Sequence, residues 1–150
     1  MEMLLFIGMQ ASGKTTFYLQ RFFDTHVRIS MDLLRTRHRE SLFIQTCLAA
    51  NQRFVVDNTN PTREERARYI SQAKASRFRV IGYFFEPDPR ASYERNQRRG
   101  KKHFVPPAGL FGTLKRLERP ARDEGFDELF LVKTEEGLFH VTPYDGGCAG

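Results

Sequence analysis

The segment Gly8-Met9-Gln10-Ala11-Ser12-Gly13-Lys14-Thr15 restricts this chain more than any other stretch. Its spacing is G-x-x-x-x-G-K-[ST], which carries a mechanism when it joins a strand to a helix. Leu4 to Ile7 is a continuous apolar run ending at Gly8, the pattern of a strand buried on both faces, and Thr15 to Phe23 has helical spacing. In that setting the glycines let the backbone curl so that successive N–H groups face phosphate oxygens. The helix N-terminus adds the positive end of its dipole. Gly8, Ala11, Ser12, Gly13, Lys14, Thr15 and Thr16 are therefore the expected ATP-phosphate ligands. Lys14 should reach the β- and γ-phosphates, and the Thr15 hydroxyl should ligate Mg2+.

The rest of the chain keeps the same rhythm. Val27–Ile29, Phe54–Val56 and Arg79–Phe85 read as strands, and Asp32 to Ala50 as a helix with apolar residues at Leu33, Leu34, Phe43, Ile44 and Cys47. Thr62 followed three residues later by Glu65 has the capping-box pattern and starts a helix from about Pro61 to Ala75. A charged helical stretch runs to Arg99, another helix covers about Gly109 to Leu117, and apolar runs at Leu129–Val132 and Leu138–Val141 suit a hairpin or separate edge strands. Strands alternating with helices imply a parallel sheet flanked by helices with right-handed crossovers. The expected fold is α/β, a P-loop NTPase-type sheet with a short arginine-bearing lid. Residues 1–143 should form the one domain and 144–150 a flexible tail with nothing to bury.

At 150 residues the chain is of single-domain size. The first apolar run is too short to span a bilayer and has no signal-peptide flanks, so a cytoplasmic protein without a membrane partner is expected. The two cysteines, Cys47 and Cys148, form no C-x-x-C pair, and neither a disulfide nor a structural metal is expected. Lys plus Arg number 24 against 18 Asp plus Glu, a net charge of +6 that favours an anionic partner.

Three further clusters bear on chemistry. Asp57 closes the Phe54–Val56 strand, at the edge where ligands of open α/β sheets bind, and is the expected acid on the metal side beside Thr15. Asp32 follows the Val27–Ile29 strand, where a carboxylate can accept the proton of an acceptor hydroxyl. Arg35, one helical turn on, would then share a face with Asp32 and hold an anion beside the group it activates. Arg95 and Arg99, four residues apart in a basic run ending at His103, would stack on one helix face and neutralise charge on the transferred phosphoryl group. Lys14, Asp32 and Arg99 are thus the expected catalytic residues.

Taken together these residues resemble the 5′-hydroxyl polynucleotide kinase family, over about Leu4 to Glu128. The likeness is most specific in two places. Asp57-Asn58-Thr59-Asn60-Pro61 continuing to Arg66 and Tyr69 is similar to the mammalian form, and Arg95 to Gly100 running to Val105-Pro106 is similar to the phage lid. The resemblance implies Asp32 as general base, Arg35 with Thr59 and Asn60 on the acceptor side, and Arg95 and Arg99 on the donor phosphates. It implies an ATP- and Mg2+-dependent kinase of single-stranded or nicked DNA or RNA 5′ ends. Gln10 and Ala11 depart from the Pro and Gly common there, and no phosphatase or ligase signature is present. The alternative is a P-loop kinase of a sugar or nucleotide-sugar with the same donor site. A nucleotide-binding switch without turnover has no use for a carboxylate at Asp32.

Overall fold

In the computed structural model residues 1–146 are described. β1 (Glu2–Ile7), β2 (Val27–Ile29), β3 (Phe54–Val56), β4 (Arg79–Phe85), β5 (Glu128–Glu135) and β6 (Leu138–Pro143) form one sheet in the order β2-β3-β1-β4-β5-β6. The first five strands of that order are parallel, and β6 is antiparallel to β5, so the two C-terminal apolar runs form a hairpin. β1 lies between β3 and β4, with Leu4 opposite both Val55 and Ile81.

Every residue of β1 from Met3 to Ile7 is buried, as a strand covered on both faces requires. Met3, Leu5 and Ile7 face one core with Ile44, Tyr69 and Ile70, on α3 (Arg37–Ala50) and α4 (Arg63–Ala75). Leu4 and Phe6 face the other with Phe17 and Tyr18 of α1 (Lys14–Arg21). There Phe6 lies 5.4–6.3 Å, centroid to centroid, from the rings of Phe17, Phe22, Tyr83 and Phe85. Cys47 is buried against the first core, and no described helix is long and apolar enough to cross a membrane.

The structure corrects the sequence-based boundaries in places that matter for the site. The helix expected over Asp32 to Ala50 is two helices, α2 (Met31–Leu34) and α3, each with its own cap. Ser30 Oγ accepts from the Asp32 N–H at 3.2 Å, and Thr36 Oγ1 accepts from the Arg39 N–H at 3.1 Å. Between them Arg35 has φ 73° and ψ −34°, and the Thr36 N–H donates to the Leu34 carbonyl at 2.9 Å, a strained three-residue γ-turn. Arg35 therefore does not share a helix face with Asp32. α5 (Pro89–Gln97) ends before Arg99, so Arg95 and Arg99 do not stack on one helix face either. α6 (Pro107–Arg116) follows. Only half of the capping box forms at α4: Thr62 Oγ1 accepts from the Glu65 N–H, while the Glu65 carboxylate pairs with Arg116 at 2.7 Å. Tyr144, expected in an unpacked tail, is half-buried against Phe84, with its N–H donating to the Leu129 carbonyl at 2.9 Å. Cys148 and the rest of 147–150 lie outside the described residues.

Candidate phosphate and acceptor site

The β1–α1 loop has the curl that its glycines permit. A β-carbon on Gly8 would come within 2.9 Å of Phe85 Cβ, and Gly13 sits at φ 93°. Ala11 also lies in the left-handed region, at φ 58°, a conformation glycine takes at less cost. Lys14 is buried, and its Nζ donates to the carbonyls of Met9 at 2.7 Å and Gly8 at 3.1 Å and to Ser12 Oγ at 3.5 Å. Burial lowers the pKa of this ammonium to about 8; the Asp57 carboxylate opposes the shift, Arg99 adds to it and Asp32 opposes it. Three of the charges singled out in the sequence thus act on one buried ammonium. Thr16 is exposed on the first turn of α1.

Asp57 is buried at the end of β3, where its Oδ2 accepts from Thr15 Oγ1 at 3.0 Å. The same oxygen accepts from Arg28 Nε at 2.8 Å, and Arg28 Nη2 donates to Thr15 Oγ1 at 3.3 Å. Arg28 was not singled out in the sequence. Its signal was a charge at the centre of the three-residue strand Val27-Arg28-Ile29, which becomes legible only once β2 is known to lie beside β3. The segment after Asp57 is braced against β1: the Gly8 N–H donates to the Thr59 carbonyl at 3.0 Å and Asn60 Nδ2 to the Phe6 carbonyl at 2.7 Å. Thr59 and Asn60 use these groups to fix the loop geometry.

Asp32 is exposed in the first turn of α2. That turn is anchored by Asn58, whose Oδ1 accepts from the Met31 N–H at 2.9 Å and whose Nδ2 donates to Glu40 Oε2 at 2.9 Å. Arg35 is exposed beyond it. From the other side, Arg95 Nη1 donates to the Ala11 carbonyl at 3.2 Å, which docks α5 on the phosphate loop. Arg99 is exposed and donates to the His103 carbonyl at 3.1 Å, within the turn that follows α5. α6 meets the same loop where Gln10 Nε2 donates to Thr113 Oγ1 at 2.9 Å. A recess of about 30 Å³ lies beside Ser12 and Arg95.

A loop that curls onto a buried lysine, a carboxylate bonded to the loop threonine and an arginine of α5 docked on the loop thus meet at one end of the sheet. Residues 35–120, more than half of the chain, match the family model described as an AAA domain. The chain belongs to this family. The match begins at the Arg35 turn and takes in Asp57, α4, β4 and both lid helices. Solved structures share the fold at low identity. A gluconokinase from Sinorhizobium meliloti 1021 is 19% identical with a TM-score of 0.61, over 88% of this chain and 82% of that one. Kti12 from Chaetomium thermophilum, solved in complex with ADP-AlF3, is 19% identical with a TM-score of 0.64, over 89% and 91%. The PezAT chromosomal toxin–antitoxin system of Streptococcus pneumoniae gives 12% identity and a TM-score of 0.67, over 97% of this chain and 74% of that one. The fold is a kinase-like P-loop α/β fold.

Proposed function

We propose that this chain is a phosphotransferase that moves the terminal phosphoryl group of ATP onto a hydroxyl of a small metabolite. The observation that carries the reading is geometric: Lys14 is buried on the loop carbonyls, Thr15 is bonded to Asp57 beside it, and β2, next to β3, leads into the exposed Asp32. A switch needs the lysine and Asp57; the exposed carboxylate of Asp32 on the acceptor side adds a proton acceptor. In the reaction, an acceptor oxygen bonds to the γ-phosphorus, the bond to the diphosphate breaks, and the hydroxyl proton passes to Asp32. Lys14 and the loop N–H groups hold the donor phosphates, while Arg95 and Arg99 meet the charge on the phosphoryl group. Thr15 Oγ1 and Asp57 Oδ2, hard oxygen donors 3.0 Å apart, suit Mg2+. Mg2+ bound there with the triphosphate would neutralise charge on the phosphates.

The likeness to a gluconokinase supports a small acceptor in preference to the polynucleotide 5′ end suggested by the sequence resemblance. One observation keeps the second reading: Arg35, Arg37, His38 and Arg39 are all exposed beside Asp32, where a polyanion backbone could lie. The test is to supply γ-labelled ATP with sugars, nucleosides and 5′-hydroxyl oligonucleotides and to identify the labelled product. Asp32→Asn should bind ATP as the parent does but lose roughly 10²–10⁴ in rate. Near-parental turnover in that variant removes Asp32 from the mechanism, and label found only on oligonucleotides selects the second reading.

A further inference from the structure

A cleft of about 220 Å³, lined by no residue of the phosphate loop, lies between α3 and α4. Its floor is the buried carboxylate of Glu40. Tyr69 Oη donates to that carboxylate at 3.0 Å, and Arg37 Nη1 and Asn58 Nδ2 donate to it at 3.0 and 2.9 Å. Burial and the Glu40 charge push the Tyr69 phenol up to about 12, so it remains a donor. The floor carboxylate is thus compensated by Arg37, and the wall carboxylate of Glu65 by Arg116. Arg68, also on the wall, is exposed and makes no side-chain hydrogen bond or ion pair among the described residues. The uncompensated charge of the cleft is therefore positive.

The remaining wall groups keep unused capacity. Ser41 Oγ accepts from Gln45, which leaves its hydroxyl proton to donate, and Gln72 Nε2 donates to the Arg68 carbonyl, which leaves its amide oxygen to accept. The cleft, about 220 Å³ and open to solvent on one side, has room for one end of a sugar-sized compound. The floor is also tied to the reaction side, because Asn58 bonds Glu40 with one end and the Met31 N–H, next to Asp32, with the other.

We infer that this cleft receives the distal end of the acceptor, and that the acceptor is a sugar-sized polyhydroxyl compound carrying one phosphate or carboxylate. Arg68 takes the anion. Ser41 and Gln72 take hydroxyls, and the Glu40–Asn58 link holds the reacting end in register with Asp32. The inference rests on the kinase reading and names its substrate class.

Calorimetric titration of the full chain without nucleotide tests it, using matched pairs: ribose against ribose 5-phosphate, and glucose against gluconate. Inorganic phosphate and a 5′-hydroxyl dinucleotide complete the panel. At least one charged member should bind roughly tenfold or more tighter than its neutral partner, since one charge-assisted hydrogen bond is worth about that factor. Arg68→Gln should remove that preference with the melting temperature unchanged, and Arg68→Lys should restore part of it. Equal affinity within each pair, no binding by any member, binding by the dinucleotide alone, or an unaltered Arg68→Gln would each overturn the cleft assignment. Turnover is read separately: a chain that binds the charged compound but never phosphorylates any acceptor refutes the kinase reading and leaves the cleft standing. A chain that phosphorylates a neutral acceptor equally well with and without Arg68 does the reverse.

Discussion

Lys14 rests in the folded chain against the carbonyls of Gly8 and Met9, out of solvent, and so holds its proton less tightly than the ordinary 10.5. Its pKa is near 8, and the unfolded chain therefore binds more protons than the folded one between about pH 8 and 10.5. The sign follows: the lysine's contribution to stability of the free chain rises with pH across that window. Phosphates at the ammonium favour its charged form, so nucleotide binding should draw a proton from solution above pH 8. Calorimetry of nucleotide binding at about pH 9, in two buffers of different ionisation heat, should report most of one proton taken up, and far less near pH 7. Lys14→Arg, which cannot titrate there, should abolish the difference; identical heats for the parent in both buffers would exclude a depressed Lys14. The place of the lysine in the loop was legible in the sequence because it follows from a local motif. Arg28, Asn58 and Glu40 were not, because each owes its place to a partner 13 to 29 residues away.

Elements were legible where local signals agree and misread where two caps fall close together. Ser30 and Thr36 each start a helix within a few residues of one another, and helical spacing of the apolar residues continues through the break, so periodicity alone joins what capping divides. Arg66 shows the same limit at the other face of the loop. In the sequence it enters only through the family resemblance, with no local sign of burial, yet it is fully buried, with Nε and Nη2 on Glu124 at 2.7 and 3.1 Å. Its Nη1 donates to the carbonyls of Asn60 at 3.0 Å and Pro61 at 3.1 Å, so it clamps the segment after Asp57 to the chain 58 residues on. Removing one partner of a buried pair strands the other. Arg66→Met should cost about 3–5 kcal/mol in denaturant unfolding, and adding Glu124→Leu should recover part of that loss. A single variant as stable as the parent would show that the clamp contributes little beyond its packing.

On the scale of the molecule, the alternation of strands and helices was enough to give a parallel sheet, and the glycine-rich segment was enough to place a loop at the end of β1. The strand order and the direction of β6 were not readable, since both depend on pairing between distant segments. A nucleotide that touches the loop, the β3 end and the lid should stabilise the domain as one unit. With Mg2+ and nucleotide at about one hundred times the dissociation constant, unfolding should become harder by about 2.7 kcal/mol in a single transition. Chelation should return the chain to its free stability without unfolding it; a second, separate transition would mean that the lid melts independently. The position of β1 also sets an order of events during synthesis. β1 and the phosphate loop are made before the residues that hold β1, 54–56 and 79–84, so β1 has no neighbouring strand to pair with until the ribosome has moved well past them. At ~5–20 residues per second that is a wait of several seconds. During it an exposed run of five apolar residues is the part of the nascent chain in greatest need of a chaperone.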